Sequence, residues 1–144
     1  MGLFTESWSS SGHIFLVRSN PIQLGDRGRI HLEVHFSDKE HAIGIDKANR
    51  FGYYLSLMVR SLTLGSTGAE VRVNNKRVGE IHTYPGEDHQ HWYTQTLILE
   101  NVKDEKMNEI EIVSAPNPNA RPNERFDDIL IKNMILHYNI SYQD

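Results

Sequence analysis

The sequence predicts an all-β chain folded as an antiparallel β-sandwich of jelly-roll type with about eight strands. Three observations carry that prediction. Apolar and polar residues alternate with a period of two along most of the chain, the alternating runs are short, and turn-rich spacers separate them. Ser37 to Arg50, polar and mixed, has room for a helical turn but shows no convincing 3.6-residue period. The 144 residues, 38% of them hydrophobic, supply one ordinary core and too little for two, so residues 1–144 read as a single domain.

Each element can be justified in order. Ile14-Phe15-Leu16-Val17 is a short apolar run and reads as a strand buried on both faces. In Arg29 to Phe36, Ile30, Leu32, Val34 and Phe36 fall on one face and Arg29, His31, Glu33 and His35 on the other, as in a half-buried strand. From Tyr53 to Leu64 the inward set is Tyr53, Leu55, Leu57 and Val59, with Ser56 and Arg60 outward. Ala69–Val73 and Arg77–Ile81 flank Asn74-Asn75-Lys76, and Asn tolerates the positive φ of a tight turn, so this segment is a β-hairpin. Trp92 to Leu99 is rich in Thr, aromatic and β-branched residues, which favour a strand. Asn108 to Val113 alternates cleanly. Ile129 to Tyr138 is apolar with a register change near Lys132-Asn133, the mark of a β-bulge. Ser37 to Arg50, Tyr84 to Gln90 and Ser114 to Arg125 read as loops; the last holds three of the five prolines.

Composition excludes several function classes. Fifteen Lys and Arg against nineteen Asp and Glu give a net charge of -4, which offers no electrostatic footprint for nucleic acid or an anionic membrane. The absence of cysteine removes disulfides, thiolate metal sites and cysteine nucleophiles. No run approaches the ~18 apolar residues that span a bilayer. The first eight residues lack a basic and an apolar signal region, so the expected location is cytoplasmic.

From Tyr53 to Tyr138 the order of motifs resembles the galactose-binding-like β-sandwich superfamily. Val71-Arg72-Val73-Asn74-Asn75-Lys76-Arg77-Val78-Gly79 is similar to its V-x-V-N-G-x-x-V-G hairpin, with Asn75 where Gly is usual. Met107-Asn108-Glu109-Ile110-Glu111-Ile112 looks like its G-x-N-x-I-x-I strand, with Met107 in place of Gly. Asp127-Asp128-Ile129-Leu130-Ile131 resembles its last strand, entered through an acidic residue. The superfamily includes carbohydrate-binding modules, lectin-like domains and stand-alone prokaryotic proteins. The resemblance implies a structural calcium with Asp128 (or Asp127) as one ligand, and a carbohydrate-like ligand.

Four constellations could bear chemistry. His31, Glu33 and His35 alternate on one strand face about 6.5–7 Å apart and form a candidate divalent-metal set. A solvated sheet face produces the same residue types without a metal. Around the Tyr84 to Gln90 loop lie His82, Asp88, His89 and His91. His89-x-His91 is similar to the cupin metal motif, but Gln95 and Thr96 stand where its Glu belongs. Tyr84, Trp92, Tyr93 and Trp8 are aromatic side chains suited to stacking; Trp92 is expected in the core, and Tyr84 and Tyr93 on the surface. The last, acidic pairs such as Glu109/Glu111, read as solvated strand faces. There is no G-x-S-x-G elbow, phosphate loop or dinucleotide fingerprint.

The leading expectation is a non-catalytic module that binds a carbohydrate-like ligand through Tyr84, Asp88, His89, His91 and Tyr93. The first alternative is an assembly protein that self-associates or takes a protein partner through sheet faces or edges. The second is a metal-dependent enzyme using the His-rich residues.

Overall fold

The computed structural model describes residues 7–24, 29–36, 47–62, 69–83, 91–103, 107–114 and 129–143. Among the described residues nine strands are present: β1 (Ser7–Val17), β2 (Ile22–Gln23), β3 (Arg29–Val34), β4 (Lys47–Ser61), β5 (Ala69–Val73), β6 (Lys76–Ile81), β7 (Tyr93–Ile98), β8 (Asn108–Ser114) and β9 (Ile129–Gln143). They form two antiparallel sheets. One has five strands, in the order β1-β9-β4-β7 with the two-residue β2 also on β9, and the other is β3-β8-β5-β6. The expected all-β sandwich is therefore observed, with one short strand more than the pattern showed. No helix long and apolar enough to cross a membrane occurs among the described residues.

The core lies between the sheets. Leu55, Leu57 and Val59 of β4 and Ile131, Met134 and Leu136 of β9 meet Val71 and Val73 of β5 and Ile110 and Ile112 of β8, all excluded from water. Burial of such aliphatic side chains, at roughly 1.5–3 kcal/mol each, is the main force holding the layers together. One end of the core is aromatic: Phe36, Tyr53 and Tyr138 pack with centroids 5.5–6.2 Å apart, and Arg50 stacks over Phe36 at 4.7 Å.

Two irregularities set which side chains face outward. In β4, Phe51 and Tyr54 stand opposite Asn139 and His137, so β4 carries one extra residue there. Gly52 supplies it at φ +64°, a conformation that favours glycine, and a Cβ there would lie 2.6 Å from Asn139 Nδ2. In β9, the expected bulge is present: Lys132 pairs with Met58 and Ile135 with Ser56, and Asn133 takes φ +49°. The Asn74-Asn75 turn also has the expected positive φ, at 49° and 68°.

Two expectations need correction. Ile14–Val17 is not buried on both faces: β1 is an edge strand, Ile14 and Leu16 pack inward, and Phe15 is 42% exposed. Residues 47–50, read as part of a loop, begin β4 instead, since the bulge breaks the alternation that would have revealed them.

Candidate functional site

The outward side of the five-stranded sheet is built in rows. His13, His137, Tyr54 and Ile98 stand opposite one another on β1, β9, β4 and β7. Phe15, Ile135, Ser56 and Thr96 form the next row. Lys132, Met58 and Thr94 follow on one side, and Ser11, Asn139 and Phe51 on the other. At the usual strand spacing a four-residue row is about 14 Å long. Ile98 is 78% exposed, Phe51 49% and Tyr54 37%. The three rows from Phe51 to Phe15 contain no Asp, Glu, Lys or Arg.

Local contacts hold this surface in shape. Tyr54 stacks on His137 with centroids 4.5 Å apart and planes within 8°. His137 Nε2 lies 2.8 Å from Ser56 Oγ, which fixes the imidazole beneath the tyrosine. Burial, and secondly the neighbouring His13, push the pKa of His137 below the ordinary histidine value. The lowered pKa favours the neutral form of the His137 imidazole. At the margins, Arg18 lies over the Phe15 ring at 4.8 Å and Lys132 over the Trp92 ring at 4.3 Å.

The opposite outer face, on the four-stranded sheet, is charged. In register, His31 faces Glu111, Glu33 faces Glu109, and Arg72 stands beyond Glu111 on β5. Arg29 Nε lies 3.4 Å from Glu111 Oε2, and Arg72 and Arg77 both pair with Glu70, at 2.8 and 2.9 Å. His35 Nε2 sits 3.4 Å from Glu33 Oε2. His31, Glu33 and Glu109 bring one ligand atom each to within 4.8 Å of the others. Of the predicted strand-face set, His31 and Glu33 therefore gain a cross-strand partner in Glu109, while His35 lies just beyond the strand and touches only Glu33 among these.

The remaining expected site residues divide. Tyr84, Asp88, His89 and Asp128 lie outside the described residues. His91 is exposed. Tyr93 and Trp92 exchange the roles expected of them. Tyr93 is half-buried against the core, because β7 places 93, 95 and 97 inward, and its hydroxyl donates to the His82 carbonyl. Burial raises its pKa. Trp92 instead lies at the outer face under Lys132. Gln95 completes the arrangement: its Oε1 accepts from His82 N and its Nε2 donates to Glu80 O, both at 2.9 Å. Tyr93 and Gln95 thus cover the backbone of β6, the edge strand of the other sheet.

The rows on β1, β4, β7 and β9 were missed as a unit. Tyr54 was readable, since it has the parity of Ser56. Phe51 was not, because only the glycine after it hinted at a bulge.

No protein-family model matches the chain, and no curated protein matches it in sequence. Solved structures do match. The crystal structure of BuGH86wt in complex with neoagarooctaose aligns with 94% of this chain at a TM-score of 0.50 and 11% identity, and this chain spans 19% of that one. The E322Q form of the same protein aligns equally well. The native structure of a family 35 carbohydrate-binding module from Clostridium thermocellum aligns with 90% of this chain and 97% of its own length, at a TM-score of 0.47 and 8% identity. At these identities the likeness is one of fold: the chain is an antiparallel β-sandwich.

Proposed function

We propose that the chain is a non-catalytic binding module that holds a saccharide across the outer face of its five-stranded sheet. The observation that carries this reading is the composition of the three rows that hold no Asp, Glu, Lys or Arg. They combine exposed rings, Phe15, Tyr54 and Phe51, with neutral hydrogen-bonding groups, Ser56, Thr96 and Asn139. A sugar has the complementary character: an apolar C–H face that stacks on a ring, and hydroxyls that exchange hydrogen bonds with amides and alcohols. The rows run across four hydrogen-bonded strands, a breadth that suits a chain of several sugar units. A part of BuGH86wt, a protein crystallised in complex with neoagarooctaose, aligns with this fold.

Affinity electrophoresis against a panel of soluble polysaccharides, followed by calorimetry on the best ligand, tests the reading. Loss of one stacking ring, at about 0.5–1.5 kcal/mol, predicts a roughly 2- to 12-fold weaker Kd for Tyr54→Ala and for Phe51→Ala. Silence across the panel at millimolar saccharide, or binding untouched by both substitutions, refutes it. A concentration-dependent dimer abolished by Ile98→Lys would show that the face is covered by a second copy instead.

A further inference from the structure

We propose that the outer face of the four-stranded sheet binds one divalent transition metal ion, such as zinc, through His31, Glu33 and Glu109. The site is independent of the saccharide reading, since it lies on the other side of the sandwich. Its geometry follows from register. Glu33 and Glu109 are direct cross-strand partners on antiparallel β3 and β8, and His31 sits two residues before Glu33 on the same face. One ligand atom from each already lies within 4.8 Å of the other two. Metal–ligand bonds of about 2.0–2.2 Å need donors somewhat closer together than that. His31 and Glu33 are exposed, so side-chain rotation alone closes the set.

Two further features single this set out from an ordinary polar strand face. The first is an unfavourable pairing. Like charges directly opposite on neighbouring strands repel, and among the described residues no Lys or Arg pairs with Glu33 or Glu109. The nearby cations are committed elsewhere: Arg29 to Glu111, Arg72 and Arg77 to Glu70. A divalent cation between the two carboxylates removes that repulsion. The second is the support behind the imidazole. His31 Nε2 lies 4.0 Å from Glu33 Oε1, while its Nδ1 lies 4.0 Å from Glu111 Oε1. Glu111, ion-paired with Arg29, thus lies behind Nδ1, and a small side-chain adjustment to hydrogen-bond distance would let it accept from Nδ1–H, the carboxylate–histidine arrangement that orients a metal-bound imidazole. His35 supports the Glu33 carboxylate in the same way from the other end.

One nitrogen and two carboxylates suit zinc, manganese or iron better than calcium, which takes oxygen ligands alone. The ion would tie β3, an edge strand, to β8 and would keep coordination positions open to solvent. Equilibrium dialysis of the full chain against zinc chloride, with elemental analysis of the protein, tests the proposal. One equivalent of zinc is expected, weakened roughly tenfold or more in both His31→Ala and Glu109→Gln. Glu80→Gln, on an adjoining charged patch, is expected to leave it unchanged. Less than half an equivalent bound at saturating zinc overturns the proposal. So does stoichiometric binding that neither substitution weakens, which would place the ion on other histidines. Folding of each variant is checked by its far-ultraviolet spectrum and thermal midpoint; if Glu109→Gln fails to fold, Glu33→Gln takes its place with the same expected result.

Discussion

Replacement of Asn108 by alanine tests the link between one buried amide and the register of the whole four-stranded sheet. Asn108 opens β8 and is 1% exposed. Its Oδ1 accepts from Lys103 N at 2.7 Å and from Asn74 Nδ2 at 2.9 Å, and its Nδ2 donates to Lys103 O at 2.7 Å. Asn74 in turn accepts from Glu109 N through its own Oδ1 at 3.0 Å. One side chain therefore joins the β5–β6 turn, the 101–103 segment and the start of β8. Three part-buried hydrogen bonds at about 1 kcal/mol each give an expected loss of about 3 kcal/mol for Asn108→Ala. For a domain near this size that corresponds to a fall in Tm of about 6–12 °C. Urea denaturation at constant m-value supplies the free energy directly. The pairwise part can be isolated with Asn74→Gly, since glycine tolerates the φ of 49° at that turn. The double-mutant cycle should return a coupling of about 0.5–1.5 kcal/mol for the Asn74–Asn108 bond. A loss below about 1 kcal/mol for Asn108→Ala would refute the reasoning. It would mean that water replaces all three bonds and that hydrophobic packing alone sets the register.

Two further predictions concern the outer face of the five-stranded sheet. Gly52→Ala should cost about 1–2 kcal/mol in urea denaturation, because an L side chain is strained at φ +64° and its Cβ would displace Asn139 Nδ2; Gly52→Asn should cost less, as Asn tolerates this region. His137 has a folded-state pKa below its unfolded value, so the stability it contributes is fully present above about pH 6.5 and is lost as the pH falls through the lower folded value. Wild type should therefore melt lower at pH 5 than at pH 7.5, His137→Gln should narrow that difference, and an NMR titration should place the imidazole below the usual histidine pKa.

The layers of this fold were legible because alternation survives wherever a strand is regular. Ile30, Leu32 and Val34 face the core as their spacing demands, and so do Leu55, Leu57 and Val59. Legibility failed where burial and parity part company. Tyr93 and Trp92 are both aromatic neighbours at a strand start, and nothing local says which of them turns inward; pairing with β4 decides it, since Tyr93 lies opposite Val59. The metal set was half legible for a related reason. His31 and Glu33 share a strand and show themselves by spacing, whereas Glu109 lies 76 positions further along and joins them only through the β3–β8 register. Spacing along β3 alone points to His35 instead, the next residue of the same parity.

The aromatic surface depends on errors in alternation more than on alternation itself. If β4 kept its period unbroken from Tyr53 back toward its start, Phe51 would share the inner face with Tyr53, and Arg50 would turn outward. The inner space at that end is already filled by Phe36, Tyr53 and Tyr138, with Arg50 stacked over the first of them. Gly52 resolves the conflict with a single extra residue: Arg50 and Tyr53 both enter the core, while Phe51 and Tyr54 both leave it. Asn133 does the same for β9. Its bulge lets Ile129 and Ile131 on one side, and Met134, Leu136 and Tyr138 on the other, all face inward, and this places Ile135 and His137 between Phe15 and Tyr54 on the outside. Each bulge thus stabilises the core and composes the outer rows in the same step, because one shift of register moves every following side chain to the other face. The exposed rings are consequently not residues left over from an overfull core. They stand where two unusual backbone positions put them, on the face whose neighbours are neutral and hydrogen-bonding.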